Sequence, residues 1–502
     1  MDESIKEAKK RSEKIKIWLK NPYNILLILI LVFALGVRLY YFSITQGQTL
    51  WWDEAEYMST ATHWAMNVPY DLNPQRPPLF QFLAALSLMI GLGENFIRFA
   101  FVLLPSAAIV LVVYFLGKEM YNQNIGLIAS FFAAVSWTFL FWTERVQPDS
   151  FSMLFQVLSI LFMWRFWKNN RTKSAILAGI FSAVAFYFKV SALLVPLSFM
   201  IFILIKERAS AFKKKGNYYF AIAFLATLIP YFIWAYATFG DPLAFRSGYS
   251  SAVGTPTPFG WYNLGFFYSL TENAFFVLFL IGLLMSLKFF IYADVLVKEK
   301  ERAFDPGIFS LIVLVITSAF YIFYIRGTED RWVFLWMPFI FFMAGNAIIL
   351  IKNFIAKNSK VFAMIVMIGL LVFIGYSQLV HADGLIKIKK DTYSQVKSAA
   401  LWIKGNSLPS DLIISSSYTE MTYYAERKVV NYNNDTFYGN ESVFNDFVKS
   451  SKPKFIEISA FERNPPWITG WLQNNSATIQ PVQAYFADAA KTQPILIIYQ
   501  VK

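Results

Sequence analysis

Long apolar segments separated by short polar loops recur along most of the chain. A membrane-spanning helix needs about 20 mainly apolar residues to cross the hydrocarbon layer. Eleven segments approach that length and predict about eleven transmembrane helices: Asn24–Tyr41, Ile97–Leu116, Ile125–Trp142, Phe151–Trp167, Ala175–Phe188, Ser191–Ile205, Tyr218–Phe239, Asn273–Tyr292, Gly307–Ile325, Trp332–Ile351 and Val361–Val380. The pattern is typical of a polytopic α-helical membrane protein.

Charge distribution sets the expected topology. The apolar run Pro78–Gly91 is roughly 14 residues long, which favours an interfacial or re-entrant helix over a span. If it does not cross, and the chain crosses twice around Lys189, every strongly basic loop shares the side of the basic N-terminus. Those loops contain Lys168, Arg171, Lys173, Lys206, Arg208, Lys213–Lys215, Lys298, Lys300, Arg302, Lys352, Lys357 and Lys360. Because such loops stay inside, we expect a cytoplasmic N-terminus and an extracytoplasmic C-terminus.

The character of the chain changes after residue 380. The pattern there predicts a helix at Asp391–Lys404 and strands at Asp411–Ser415, Lys454–Ser459 and Pro494–Val501. We therefore expect a cytoplasmic basic segment at 1–22, a transmembrane domain at 23–380 with its first outer loop at 45–96, and a small extracytoplasmic α/β domain at 381–502.

Composition agrees with a multi-pass protein of the cell membrane. Hydrophobic residues make up 57% and charged residues 15%, whereas about a quarter of a soluble domain is charged. The net charge of +13 is explained by cytoplasmic loops facing membrane lipids, so no nucleic-acid partner is expected. There is no cysteine, and His63 and His381 are the two histidines. This excludes disulfides and thiol chemistry and disfavours a histidine-rich metal site.

Three carboxylates stand together in the first outer loop, at Asp53, Glu54 and Glu56. Apolar positions recur at helical spacing over Asp53–Met66, which predicts a surface helix. Asp53 as the cap of that helix is one explanation, and it leaves the other two acids unexplained. A helix puts Asp53 and Glu56 on similar faces and Glu54 about 100° away. At most two of these acids can therefore address one site.

Isolated basic residues lie near the outer ends of the spans, against the topological bias: Arg76, Arg145, Lys189, Arg246, Arg326 and Arg331. Such cations are functional candidates, and the simpler alternative for each is a side chain that extends to the interface. Asp149 in the second outer loop has a similar alternative as a helix cap. The loop from Arg326 to Arg331 also contains two acids and is equally compatible with a self-neutralising surface loop.

Three motifs occur along this chain in the same order as in the members of one known family. They are Asp53-Glu54, then Arg76-Pro77-Pro78-Leu79 ahead of the short helix, then Asp149 in the second outer loop. In these residues the chain resembles the GT-C membrane glycosyltransferases, in the branch of the protein O-mannosyltransferases and the lipid A aminoarabinose transferases. The resemblance covers residues 20–380.

Two further positions match the family more weakly, and two depart from it. Lys189 ahead of Pro196, and Arg331-Trp332 ahead of Pro338, correspond to positions near the lipid-phosphate pocket. The departures are Arg76, where members usually carry Lys or His, and Gln147-Pro148 ahead of Asp149.

The resemblance implies an enzyme that moves a hexose or pentose from a polyprenyl-phosphate donor to a hydroxyl of a glycan, lipid or protein acceptor outside the membrane, with inversion. Such enzymes act in cell-envelope synthesis and protein glycosylation. Glycosyl transfer has an oxocarbenium-like transition state and needs a base and cations for the leaving phosphate.

The resemblance implies a role for each candidate site residue. Asp53 is the expected general base, Glu54 the alternative carboxylate and Asp149 a positioning residue. The expected phosphate contacts are Arg76, Lys189 and Arg331, and the secondary candidates are Glu56, Arg145 and Arg326. A divalent ion on Asp53 and Glu54 is an open alternative, but no metal or other cofactor is predicted, because these cations can stabilise the phosphate.

Three other functions lead to different expectations for the sequence. A transporter or lipid flippase usually has ionisable residues near the bilayer midplane and two related halves, whereas here the charges lie at outer ends and no halves match. An oligosaccharyltransferase would have a segment like Trp-Trp-Asp-Tyr-Gly in its outer domain, and this chain has none. A binding module on an inert scaffold predicts that truncation at Asp391 leaves transfer intact but abolishes partner binding.

Overall fold

A computed structural model describes residues 18–246, 260–290, 304–326, 329–488 and 490–502. Most of the predicted basic segment 1–22 lies outside the described residues, as do Lys298, Lys300 and Arg302.

The membrane region is helical. Its helices are α1 (Pro22–Ile44), α2 (Trp52–Met66), α3 (Leu79–Met89), α4 (Glu94–Arg98), α5 (Leu104–Met120), α6 (Gln123–Val135), α7 (Trp137–Thr143), α8 (Asp149–Asn169), α9 (Thr172–Phe188), α10 (Leu194–Glu207), α11 (Lys215–Phe239), α12 (Phe266–Thr271), α13 (Asn273–Ser286), α14 (Asp305–Ala319), α15 (Met337–Ile355) and α16 (Lys360–Lys389). Tighter 3₁₀ or wider π-helical turns lie between or beside them at Phe99–Leu103, Val190–Leu193, Arg208–Lys213, Trp261–Gly265, Leu287–Phe290, Phe320–Ile325 and Asp330–Trp336.

Each of the eleven predicted spans coincides with a helix or a bent helix pair. Among the described residues, eight helices are long and apolar enough to cross a membrane, and two helix pairs, bent by 49° and 118°, bring the number to ten if each pair is one span. The remaining predicted span is α9, which has 17 residues. The apolar run at Pro78–Gly91 forms α3, a helix of 11 residues. The predicted polytopic helical fold is confirmed.

The bend between α6 and α7 has a definite polar partner. A helix that breaks within the membrane leaves backbone groups that need hydrogen bonds. The fully buried Arg38 donates to the carbonyl oxygens of Ala133 and Ala134, both at 3.2 Å, and to Ser106 Oγ at 2.9 Å. Arg38 thereby stabilises the turn from which α7 leads into the second outer loop.

The C-terminal part is an α/β unit with one mixed sheet. Its helices are α17 (Ser394–Asn406), α18 (Tyr418–Ala425), α19 (Asp435–Tyr438), α20 (Glu441–Ser451) and α21 (Ile468–Asn474). Its strands are β1 (Leu412–Ser415), β2 (Lys428–Val430), β3 (Phe455–Ser459), β4 (Ile479–Phe486) and β5 (Pro494–Val501), in the spatial order β2-β1-β3-β5-β4. β1 pairs in parallel with β2 and β3, and β5 pairs antiparallel with β3 and β4. The predicted small α/β domain is confirmed, although β2 and β4 were not predicted.

Helix α2 lies against the C-terminal unit. Buried residues of α2 such as Met58 form one hydrophobic cluster with buried residues of α17 and α18 such as Val396 and Met421. The Tyr424 hydroxyl accepts a hydrogen bond from the Leu50 amide at 3.0 Å. Nine of the 15 residues of α2 are buried. The expectation of a surface helix was therefore wrong, because the C-terminal unit covers the side of α2 that the outer loop would otherwise expose.

Candidate active site

The first turn of α2 positions the acids. The Glu54 carboxylate accepts a hydrogen bond from the Trp51 amide at 2.7 Å, so Glu54 satisfies the amide that precedes the helix. The alternative explanation of Asp53 as the cap of this helix is therefore wrong, because Trp51 is the N-cap residue. Two acids in the first turn also suit the positive end of the helix dipole. The Asp53 side chain is left to bind other partners.

Asp53 lies between two guanidinium groups. Arg76 Nη2 is 2.6 Å from Asp53 Oδ1, and Arg331 Nη2 contacts Asp53 Oδ2. Burial disfavours the charged form of Asp53, but the two guanidinium groups outweigh it and hold the pKa of this carboxyl well below its usual range. Asp53 is therefore ionised throughout the neutral and mildly acidic range.

Arg76 is fixed by three side chains of α2. Besides Asp53 it donates from Nε to Glu56 Oε2 at 2.8 Å and from Nη1 to the Tyr57 hydroxyl at 3.2 Å. Glu56 in turn accepts a hydrogen bond from Asn73 Nδ2 at 2.5 Å. Asp53 and Glu56 thus meet the same cation, as helical spacing predicts.

Glu54 faces a different partner. It is fully buried and contacts Arg145 Nη2 and the Val146 amide. The Arg145 guanidinium lies 3.7 Å from the ring centroid of Trp51. This pair fastens the second outer loop to the start of α2, and neither residue is among the described residues that line the cavity at Asp53.

Asp149 and Lys189 form a second ion pair near Asp53. Asp149 is the first residue of α8, and Lys189 is an extended residue between α9 and the turn Val190–Leu193. Lys189 Nζ contacts Asp149 Oδ1, and Asp149 is buried. The break after α9 therefore places a lysine beside a carboxylate that comes from another helix.

One cavity of about 230 Å³ is lined by Asp53, Arg76, Asp149, Lys189 and Arg331. We call it the charged cavity. Its walls are Asp53, Tyr57, Gln75, Arg76, Pro77, Asp149, Phe188, Lys189, Val190, Ser191, Phe320, Tyr321, Ile325, Glu329, Arg331 and Trp332. Three cations and two carboxylates named from the sequence meet there. Arg331 is further held by Glu329 at its Nε and by the Trp142 ring, whose centroid lies 4.9 Å from its Cζ.

Sequence analysis did not identify three lining residues of the charged cavity as site residues: Tyr57, Tyr321 and Glu329. Tyr57 lies four residues after Asp53, so helical spacing could have placed both on one face. Tyr321 donates from its hydroxyl to the Trp332 carbonyl at 2.6 Å, a contact between two segments that the sequence gives no reason to pair. Arg326 follows the π-helical turn at φ +56° and is not among the described lining residues.

The chain matches one known family over part of its length. Residues 75–234 match the family model of the dolichyl-phosphate-mannose-protein mannosyltransferases. This stretch contains Arg76, Asp149 and Lys189, and Asp53 and Arg331 lie outside it. Comparison with curated protein sequences finds no match.

Three solved structures share the architecture. The apo oligosaccharyltransferase of Archaeoglobus fulgidus has a TM-score of 0.65 at 14% identity, covering 88% of this chain and 70% of its own. ArnT from Cupriavidus metallidurans bound to undecaprenyl phosphate has a TM-score of 0.62 at 12% identity, covering 94% and 97%. The arabinofuranosyltransferase AftD from Mycobacteria has a TM-score of 0.54 at 12% identity, covering 94% and 41%. All three are GT-C glycosyltransferases, so the resemblance to this group is confirmed at the level of the fold.

Proposed function

We propose that the protein transfers a sugar from a polyprenyl-phosphate donor to an acceptor hydroxyl on the outer side of the membrane, with inversion at the anomeric carbon. The observation that carries this proposal is the Asp53 carboxylate, held between Arg76 and Arg331 at the wall of a cavity that also contains Lys189. A base and several cations in one cavity are what glycosyl transfer from a phosphate requires.

The cations support a phosphate-linked donor. Guanidinium groups bind phosphate oxygens in pairs, and an ammonium group adds a compact charge. Arg331 and Lys189 would stabilise the negative charge that develops on the leaving phosphate. The structural relative ArnT was solved with undecaprenyl phosphate, and the matched family is named for a dolichyl-phosphate sugar. Both agree with a donor of this class.

Asp53 would take the proton of the acceptor hydroxyl. The acceptor oxygen bonds to the anomeric carbon while the bond from that carbon to the phosphate oxygen breaks and its electrons leave with the phosphate. The proton passes to Asp53 in the same displacement. In the resting enzyme the two arginines make Asp53 a weak base. A phosphate that engages these arginines withdraws their charge from Asp53 and makes it a stronger one.

Asp149 and Glu56 would act as positioning residues. Asp149 holds Lys189, and Glu56 holds Arg76. Glu54 and Arg145 would act indirectly, because their buried ion pair fixes the helical turn that carries Asp53. The outer location of the site and the inner location of the N-terminus rest on the positive-inside distribution of the loops.

Replacing Arg331 with Gln should raise the KM for the donor by roughly ten- to hundredfold, since a hydrogen bond to a charged group contributes about 1.5–3 kcal/mol. Initial rates of transfer from radiolabelled polyprenyl-phosphate hexoses and pentoses into native membranes measure this effect. Arg463→Gln is the matched control, because Arg463 is exposed in the C-terminal unit. An unchanged donor KM in Arg331→Gln would remove Arg331 from donor binding.

A further inference from the structure

A second cavity, of about 370 Å³, also reaches Asp53. It shares Asp53, Glu329 and Arg331 with the charged cavity, but Arg76, Asp149 and Lys189 do not line it. Its lining contains four aromatic residues, Trp51, Trp52, Trp142 and Tyr393, together with Lys389. We call it the aromatic cavity. Asp53 therefore lies where a cation-rich space and an aromatic space meet.

Asp53 lines both cavities. Each of the two substrates can therefore be assigned to one cavity. A base must contact the acceptor hydroxyl, while the phosphate of the donor requires the cations. The charged cavity has three cations, Arg76, Lys189 and Arg331, and the aromatic cavity has two, Arg331 and Lys389, so the phosphate suits the charged cavity better. The acceptor can then approach Asp53 from the aromatic cavity. We infer that the aromatic cavity is the acceptor site and that its ligand is a saccharide, whose hydroxyl meets Asp53. This inference rests on the proposed sugar transfer.

The aromatic wall favours a sugar ring. The face of an aromatic ring is electron-rich and attracts the weakly positive C–H groups that a sugar ring presents on its flat side. Trp52 is a large aromatic residue with 36% of its surface exposed, so its ring is accessible to such a ligand. Thr392 and Gln147 also line the cavity. Their polar atoms can bind the hydroxyls at the edge of the sugar.

The side-chain carbonyl oxygen of Gln147 accepts no hydrogen bond from the described residues. The residue is 2% exposed. A buried carbonyl oxygen without a partner costs free energy, so such a group is usually satisfied by a ligand or water. A sugar hydroxyl is a donor of suitable size.

Tyr393 links the cavity to the C-terminal unit. Its backbone has φ +64°, in the left-handed region that residues other than glycine seldom adopt. Its ring stacks on Phe461, with centroids 5.0 Å apart. Tyr393 is also the residue that precedes α17 at its N-terminus. The C-terminal unit thus supplies one wall of the acceptor site.

Binding of methyl hexosides and methyl pentosides, measured by saturation-transfer NMR on the detergent-solubilised full chain, tests the inference without relying on catalysis. We expect wild type to bind at least one glycoside, with saturation strongest at the ring C–H protons. Trp52→Ala should weaken binding about tenfold, the upper range for one aromatic contact, and Trp52→Phe should retain most of it. Trp261→Ala is the matched control, since Trp261 is 54% exposed elsewhere.

The outcomes separate this inference from the proposed function. Equal glycoside binding by wild type, Trp52→Ala and Trp261→Ala would overturn the acceptor site, as would transfer to Ser/Thr peptides but not to glycosides. If glycosides bind and Trp52 matters, the acceptor site holds. If the same preparation then neither hydrolyses nor transfers polyprenyl-phosphate sugars, the proposed function fails on its own.

Discussion

Asp53→Asn is expected to reduce sugar transfer by roughly 10²–10⁴-fold, the contribution typical of a positioned general base. Asparagine keeps the size of the side chain and can accept a hydrogen bond from one of the two guanidinium groups, but it cannot take the acceptor's proton. The measurement is kcat for transfer from a radiolabelled polyprenyl-phosphate sugar, compared with the amount of folded protein in the membrane.

The KM for the donor distinguishes a general base from a residue that binds the donor. In Asp53→Asn the guanidinium groups of Arg76 and Arg331 lose a carboxylate partner and become more available to phosphate. The KM for the donor should therefore stay constant or fall while kcat collapses. Asp71→Asn, an exposed acid of the same outer loop, should transfer normally. Normal kcat in Asp53→Asn would exclude Asp53 as the base.

Glu54→Ala is expected to lower the free energy of unfolding by about 3–5 kcal/mol, because it leaves Arg145 buried without its carboxylate. It also removes an acceptor from the amides of Trp51 and Val146. Denaturant unfolding of the detergent-solubilised protein measures this loss.

A paired replacement provides the control. Glu54→Leu combined with Arg145→Met removes both charges, and a buried ion pair exchanged for apolar groups of similar size is often close to neutral. The double variant should therefore regain most of the stability that Glu54→Ala loses. A Glu54→Ala protein of normal stability but without transfer would instead make Glu54 a catalytic residue.

The sequence predicted the membrane architecture well because each span depends on its own composition. Each segment predicted from hydropathy falls on a helix or a bent helix pair, and the short run Pro78–Gly91 forms the 11-residue helix α3. Helical spacing also separated Glu54 from Asp53 and Glu56. These predictions needed information only from neighbouring residues.

Other features depended on contacts between distant segments. Arg331 reaches Asp53 across 278 positions, and Arg145 reaches Glu54 across 91. Periodicity carries no signal for such pairs. For the same reason the sequence did not predict that the C-terminal unit covers α2, that Arg38 stabilises the bend after α6, or that Tyr393 joins Trp52 at one cavity.

The anomeric configuration of the product tests the central claim most directly, that Asp53 is the base of a single displacement. NMR of the glycoside formed in one turnover from a donor of known configuration gives the answer. Asp53 as base predicts inversion, since the acceptor attacks opposite the phosphate. Retention would contradict the account, because it requires two displacements and a sugar bonded to a side chain of the enzyme.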